Sequence, residues 1–268
     1  MRAWEVPGLT IAVVKNDSVV LAKGYGVREL GKPERVDQHT LFAIGSCTKA
    51  FGAASVAMLV QDGKLNWDDR VEQSLPGLEL WDPWVTHDIR VRDLVAHRTG
   101  SFVGIENRVR AFTTSYRDWI RRARFIQPIA PFRDRYVYSN LMFVISGELV
   151  RAVSGAASWN DFARERIWAA LGMDRTTANI RVAQRTANKV SPHVVIDGKL
   201  TPVEWELDAD SLADPTGGVN TTAWDMAQWI RFQLGEGRFK GRELLRAEVF
   251  REMHTVQSPA GTPARREG

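Results

Sequence analysis

One run of residues constrains this sequence more than any other, because residues 50–60 are apolar or small at every position. The run follows Ser46-Cys47-Thr48-Lys49 and ends at Asp62-Gly63, a pair that favours the left-handed backbone conformation at which helices stop. A helix without a polar face is buried on all sides. We therefore predict a helix over residues 46–61, with Ser46 as its N-cap, that runs through the middle of the protein.

Lys49 is a charged side chain at the start of this apolar helix, three residues after Ser46 and on the same helix face. Burial favours the neutral form of a lysine, and a neutral amine beside a hydroxyl can act as its base. Free N–H groups at a helix start would also stabilise an oxyanion on an attacked carbonyl. The two residues are therefore a candidate nucleophile and base. A serine N-cap followed by a lysine that extends to solvent explains the same pattern.

Tyr138-Ser139-Asn140 is a second candidate, at the point where an arginine-rich block ends and an apolar helix begins. A phenolic oxygen held near a cation favours its anion and can serve as a base. An amide two residues later can hold a substrate carbonyl and Lys49 together, because it both donates and accepts. The alternative is a turn in which Asn140 caps the helix and Tyr138 is a half-buried core aromatic.

Strand and helix signals alternate along the chain and predict an α+β fold. Two β-rich runs, residues 9–15 and 18–27, flank the turn residues Asn16-Asp17 and predict a β-hairpin. Three further helices and one hairpin-like stretch are predicted over residues 139–153, 159–171, 222–234 and 193–206. Prolines and glycines break residues 65–135 into short helical segments. We expect an antiparallel sheet flanked by helices, with an all-helical region inserted after the first helix.

Composition excludes several classes of site and partner. The single cysteine, Cys47, excludes an internal disulfide and a multi-cysteine zinc site, and the five histidines lack close metal-ligand spacing. Neither a metal nor another cofactor is expected. The net charge is +4, and eight arginines lie in residues 108–135, interleaved with aromatic residues such as Phe112 and Phe125. We interpret this block as a solvated helical surface whose aromatic side chains face the core, so no nucleic-acid partner is expected.

The chain contains no stretch that approaches the ~18 uninterrupted apolar residues of a membrane span. Its first residues also lead into no apolar signal-peptide core. We therefore expect no membrane partner. The expected location is cytoplasmic by default, and the alternative is a chain that lacks its export signal.

In their order along the chain, these motifs resemble those of the penicillin-recognising serine hydrolases. This family includes class C β-lactamases, D-alanyl-D-alanine carboxypeptidases, D-aminopeptidases and related esterases. Residues 42–49 resemble its nucleophile motif, residues 91–100 a helix-to-loop element, Tyr138-Ser139-Asn140 its second motif, and residues 217–222 its Gly-Gly segment. The resemblance covers nearly the whole chain and implies a β-lactamase/transpeptidase-like fold.

The resemblance also implies a role for each site residue. Ser46 would be acylated with Lys49 as its base, and its backbone N–H would supply half of the oxyanion hole. Tyr138 would protonate the leaving group and later activate the deacylating water, while Asn140 would position the substrate and Lys49. The implied substrates are esters, D-amino peptides or β-lactams, without a cofactor. Cys47 is interpreted as a small core residue.

The sequence departs from the family downstream of Val219. The family carries Lys-Thr-Gly, His-x-Gly or Trp-x-Gly on a late strand, and no such tripeptide follows Val219 here. Without that strand the second oxyanion donor would be absent, which costs on the order of 10² to 10³ in rate. We therefore expect a truncated, weakly stable member that self-associates through an exposed sheet edge. The alternative to a hydrolase is a non-catalytic or acylation-only relative, which would act as a binding domain.

The domain organisation follows from the same patterns. We expect a single catalytic domain over residues 1–257, with a helical subregion at about residues 65–190. Residues 258–268 are rich in Pro, Gly and Arg and are expected to form a disordered tail. The expected binding partner is a small-molecule or peptide substrate.

Overall fold

The computed structural model describes residues 1–113, 115–204 and 215–258. Strands β1 (Gly8–Lys15) and β2 (Ser18–Gly26) form the expected antiparallel hairpin. Its two turn residues, Asn16 and Asp17, have φ angles of 49° and 56°. Positive φ at both central residues matches the right-handed twist of the flanking strands, which explains the Asn-Asp pair. The hairpin prediction is confirmed.

The apolar run forms helix α1 (Lys49–Gln61), which follows strand β3 (Phe42–Ala43) and a 3₁₀ turn (Gly45–Thr48). Nine of the thirteen residues of α1 are buried, so the predicted central position is confirmed. The helix ends where Gly63 adopts a φ of +70°. The predicted start of the helix is wrong, because Ser46 lies in the 3₁₀ turn and Thr48 is the N-cap of α1.

Short helices follow, as expected from the prolines and glycines of this region. They are α2 (Pro83–Asp88), α3 (Val91–Leu94), α4 (Val103–Arg110) and α5 (Tyr116–Arg121). The longer helical patterns form α6 (Leu141–Ser154) and then α7 (Trp159–Ala163), a π-helical segment (Arg164–Trp168) and α8 (Ala169–Leu171), followed by α9 (Ile180–Arg185). Gly155 and Gly172 end α6 and α8 in the left-handed conformation. The inserted helical region is thus present between α1 and the later strands.

The remaining described elements complete the fold around the hairpin. They are β4 (His193–Ile196), β5 (Lys199–Pro202), β6 (Asn220–Thr221), α10 (Ala223–Leu234), β7 (Arg238–Phe239), β8 (Arg242–Glu243) and α11 (Ala247–Met253). Helix α10 packs across β1 and β2, and Arg231 of this helix pairs with Asp17 of the hairpin turn at 2.8 Å. In the described residues the strands form four antiparallel pairs: β1–β2, β3–β6, β4–β5 and β7–β8.

The core is built around α1 and is rich in aromatic side chains. The Phe51 ring lies 4.3 Å from the Trp229 ring and 6.1 Å from the Trp168 ring, measured between centroids. The only hydroxyl within residues 50–60, on Ser55, accepts a hydrogen bond from Trp159 Nε1 at 3.0 Å and donates to the Phe51 carbonyl at 2.8 Å. Because this polar atom is paired, α1 can be buried without an unsatisfied group.

Two expectations about side-chain burial are wrong. Cys47 is exposed, because the 3₁₀ turn places it outside the packed face of α1. In the arginine-rich block Trp119 is buried, but Phe112 and Phe125 are exposed, because they follow the short helices α4 and α5 at turns on the surface. Residues 259–268, which include nearly all of the expected tail, lie outside the described residues.

The described part of the chain has no single helix that is long and apolar enough to cross a membrane. One pair of segments, Leu141–Ser154 and Trp159–Leu171, reaches that length and hydropathy only when taken together across a 71° bend.

Candidate active site

The Ser46 hydroxyl is the point at which the two sequence motifs meet. Tyr138 donates a hydrogen bond from its phenolic oxygen to Ser46 Oγ at 2.6 Å, and Lys49 Nζ donates to the same oxygen at 3.2 Å. Both groups can accept or deliver a proton, so two proton carriers adjoin one nucleophile. Ser46 itself is exposed, which leaves its hydroxyl open to a reactant.

Lys49 is buried, with 7% of its surface exposed. Its Nζ donates to Asn140 Oδ1 at 2.8 Å, to the Thr216 carbonyl at 2.7 Å and to Ser46 Oγ at 3.2 Å. These three acceptors match the three N–H bonds of an ammonium group. The rings of Tyr138 and Phe143 lie 4.8 Å and 5.5 Å from the same atom and add cation–π contacts. In its ammonium form, Lys49 would therefore have no unpaired donor at this site.

The alternative interpretation of the first motif does not agree with this geometry, and that of the second motif accounts for only part of it. Lys49 does not extend to solvent, and Thr48 rather than Ser46 is the N-cap of α1. Tyr138 is half-buried, as the alternative expects. Asn140 stands at the N-cap position of α6, but its side chain makes no cap hydrogen bond and accepts from Lys49 instead. Tyr138 directs its hydroxyl to Ser46. The structure thus brings together all four predicted site residues: Ser46, Lys49, Tyr138 and Asn140.

The Gly-Gly segment runs alongside the nucleophile turn. Thr48 Oγ1 accepts from the Val219 N–H at 3.1 Å, and the Ile44 N–H donates to the Val219 carbonyl at 3.0 Å. Beyond this point β6 pairs with β3. These contacts hold the Thr216 carbonyl against Lys49 and place Gly217 beside the nucleophile turn.

Glu106 is a site residue that sequence reasoning missed. It is fully buried in α4, and its carboxylate accepts from Ser101 Oγ and Ser139 Oγ, both at 2.5 Å. It also accepts from the N–H groups of Asn140 at 2.7 Å and Leu141 at 3.1 Å. The three donors from residues 139–141 thus fix the second motif to α4. No local pattern marks this glutamate, since these three partners lie more than 30 residues further along the chain and it stands among arginines.

His97 supports Tyr138 from the other side. Its ring stacks on the Tyr138 ring at 4.5 Å between centroids, and its Nδ1 accepts from the Ser139 N–H at 3.1 Å. Burial, with a smaller contribution from the charge of Lys49, lowers the pKa of His97 from 6.5 to about 4. The imidazole is therefore neutral at pH 7, and its proton lies on Nε2 because Nδ1 is an acceptor.

The turn that carries His97 is anchored by a buried carboxylate. Asp93 in α3 is fully buried and accepts from the guanidinium groups of Arg98 and Arg133. It also accepts from the Arg90 N–H at 2.8 Å. Two arginines on one carboxylate compensate its burial. Through these contacts, residues 91–100 hold His97 in place against the second motif.

Across the residues that the structure covers, no group of three or more His, Cys, Asp or Glu side chains could hold a metal ion. The groups that the structure brings together at Ser46 are a hydroxyl, a phenol, an amine and an amide.

Comparison with known proteins connects this geometry to a family. A family model described as Beta-lactamase matches residues 2–268. Among curated proteins, the chain is similar to Unguisins hydrolase ungD' of Aspergillus campestris, with 35% identity over 213 residues, or 75% of this chain and 39% of that protein. It is also similar to Unguisins hydrolase ungD of Aspergillus violaceofuscus, with 33% identity over 247 residues, or 86% of this chain and 42% of that protein. The chain thus spans about two fifths of the length of these relatives.

Among solved structures, the fold is similar to an octameric penicillin-binding protein homologue from Pyrococcus abyssi. The TM-score is 0.82 with 24% identity, over 95% of this chain and 57% of that chain. At this identity the similarity concerns the fold alone.

Proposed function

The chain belongs to the β-lactamase family, and from that premise we propose that it is a serine hydrolase that works through an acyl-enzyme on Ser46. The resemblance of the chain to this family and the β-lactamase/transpeptidase-like α+β fold are both confirmed. The observation that carries the proposal is the meeting of Tyr138 and Lys49 on the Ser46 hydroxyl.

In the acylation step, Ser46 Oγ attacks the carbonyl carbon of the substrate, and its proton passes to Lys49 in its neutral amine form or to Tyr138 in its phenolate form. Both acceptors already lie within hydrogen-bond distance of Oγ, so no side chain has to move far. The Ser46 N–H lies in the 3₁₀ turn and is assigned to the oxyanion that forms. Tyr138 then delivers a proton to the departing oxygen or nitrogen, which leaves an ester on Ser46.

In the deacylation step, Tyr138 takes a proton from water, and the resulting hydroxide attacks the ester carbonyl. The Ser46 oxygen leaves and recovers a proton from the same cluster. Asn140 holds Lys49 through Oδ1 and keeps its amide N–H₂ group for the substrate carbonyl. Each group is thereby returned to its starting state.

The proposed substrates are esters, D-amino peptides or β-lactams. Relatives named as unguisins hydrolases favour hydrolysis over simple binding. The second candidate is acylation without turnover, which would use the same contacts of Lys49 and Tyr138 with Ser46. The two candidates differ in the lifetime of the acyl-enzyme.

The test is intact-protein mass spectrometry after incubation with a fluorophosphonate and, separately, with a penicillin. We expect a mass increase in the unmodified sequence and none in Ser46→Ala. Cys47→Ala is the matched control, because this exposed thiol adjoins Ser46 and is the competing nucleophile. A penicillin adduct that decays supports hydrolysis, and one that persists supports acylation alone. A folded sample without any adduct contradicts both.

A further inference from the structure

A cavity of about 460 Å³ lies beside the start of α6. Its lining includes Ser101, Leu141 and Met142, and it does not include Ser46, Lys49, Tyr138 or Asn140. The volume is within the range of small-molecule pockets. The cavity is therefore separate from the Ser46 cluster, although it shares a wall with the loop that carries Tyr138 and Asn140.

A residue in the wall of this cavity carries an unpaired hydroxyl. Thr99 lines the cavity with 6% of its surface exposed, and its Oγ1, which is itself enclosed, makes no hydrogen bond with any described residue. A rotation of this side chain about its Cα–Cβ bond would present the oxygen to a ligand. Buried polar groups are normally paired, so an unpaired one in a cavity wall indicates a place for a ligand atom. The ligand would contribute one hydrogen-bonding atom at this point.

The rest of the lining defines what kind of molecule fits. Aromatic and aliphatic side chains dominate it, including Trp81, Trp84, Phe132 and Ile126. Trp84 is 63% exposed at the surface, and its ring meets the Phe132 ring edge-on at 6.1 Å. Exposed tryptophans beside a cavity are typical of a binding mouth. The one charged residue of the lining, Asp82, is exposed and already accepts from the Trp84 N–H.

We propose that this cavity binds an uncharged aromatic molecule, between one ring and an indole in size, through a hydrogen bond to Thr99. The walls provide apolar contact and no buried charge, so an anion or a cation would be desolvated without compensation. The Thr99 hydroxyl can donate to or accept from the ligand, and it fixes the orientation of the ring.

The occupant would also act on the second motif, and this part rests on the proposed function. Ser101 Oγ and the Leu141 N–H both donate to Glu106, and the Met142 N–H donates to Ser139 Oγ at 3.2 Å. Three wall residues of the cavity therefore belong to the network that fixes Tyr138 and Asn140. A ligand that presses on this wall changes the equilibrium position of the Tyr138 hydroxyl relative to Ser46.

The binding test uses the full chain with phenol and toluene, which have the same shape and differ by one hydrogen-bonding group. We expect ligand-observed NMR to give a saturable phenol Kd on the order of 1 mM. Thr99→Val, in which valine has nearly the same shape as threonine, should weaken the binding of phenol about tenfold and leave the binding of toluene unchanged. Trp84→Ala should weaken the binding of both ligands about fivefold. Trp4→Ala is the control and should change neither affinity, because Trp4 is 84% exposed and does not line the cavity.

Three results would overturn the site: no saturable binding of either ligand, an unchanged phenol Kd in both cavity variants, or tighter binding of benzylamine or benzoate than of phenol. The coupling is tested by the rate of Ser46 labelling with a fluorophosphonate at saturating phenol. A rate change that Thr99→Val shifts to about tenfold higher phenol concentrations supports the coupling, and full occupancy with an unchanged rate contradicts it. If Ser46 is never labelled, the proposed function fails, while the NMR titration still decides the cavity.

Discussion

The two halves of the Ser46 cluster are held in place by different kinds of interaction. Ser46 and Lys49 are continuous with α1, a helix held by apolar packing in the centre of the core. Tyr138 and Asn140 precede α6 and are held by buried polar groups, chiefly Glu106 and His97. Apolar packing is non-directional, whereas a buried hydrogen-bond network fixes positions through specific partners. Stability and site geometry should therefore be separable by mutation.

The largest loss of stability is expected from Phe51→Ala. This ring is fully buried in α1 and packs against two tryptophans, so its removal should lower the free energy of unfolding by about 3–5 kcal/mol. The fluorophosphonate labelling rate of the protein that remains folded should stay close to wild type. Urea unfolding measures the free energy of unfolding. Phe112→Ala, at a ring that is 78% exposed, is the control and should change it by less than about 0.5 kcal/mol.

Glu106→Ala, in contrast, should lower both the stability and the labelling rate. It leaves four donors without their acceptor and should cost about 3 kcal/mol of stability. The labelling rate of the folded protein should fall about 10²-fold, because the Tyr138 hydroxyl is no longer held against Ser46. Glu106→Gln keeps an acceptor for the two N–H groups and should recover most of the rate. Labelling at the wild-type rate in folded Glu106→Ala would show that α4 does not position the second motif.

The pH dependence of stability tests the contribution of His97. Its pKa is about 4 in the folded protein and about 6.5 when unfolded, so the unfolded chain takes up the proton first as pH falls. Stability should therefore decrease between pH 6.5 and pH 4, by about 3 kcal/mol at most, and this group adds no further loss below pH 4. Urea unfolding across this range measures the slope. His97→Phe should remove that slope, and an unchanged slope would assign it to other groups.

A pair of buried serines gives the smallest and most direct comparison. Ser55 in α1 accepts from Trp159 Nε1, and Ser139 in the second motif donates to Glu106 and accepts from the Met142 N–H. Ser55→Ala and Ser139→Ala should each cost about 1–2 kcal/mol in urea unfolding. Only Ser139→Ala should slow labelling, by several-fold. Equal effects on labelling would mean that the two halves of the site are not held separately.

The sequence predicted the apolar half of this architecture well, because local patterns encode it. The hairpin at Asn16-Asp17, the buried course of α1 and its end at Gly63 all follow from residue types within a few positions. The grouping of Ser46 and Lys49 follows in the same way, from a spacing of three. The 3₁₀ turn was missed because Ser46 would cap an α-helix equally well by composition alone.

The polar half could not be predicted from local patterns, because its partners are far apart in the chain. Glu106 meets the second motif from an arginine-rich helix, and its spacing from Ser139 has no periodicity that marks it. The exposure of Cys47 depends on a backbone turn, and that of Phe112 on where a short helix ends. Family resemblance supplied the roles of Tyr138 and Asn140, but it did not indicate what holds them. The predicted truncation and self-association stay predictions.

The three acceptors around Lys49 also bear on the order of events during folding. Two of them, Asn140 and Thr216, are 91 and 167 residues away along the chain. Contacts of such long range require large loops to close, so they form late relative to the local turns of α1. Helical content should therefore recover before the amine is enclosed. Newly made chains would pass through a stage in which the core helix exists and the reactive centre does not.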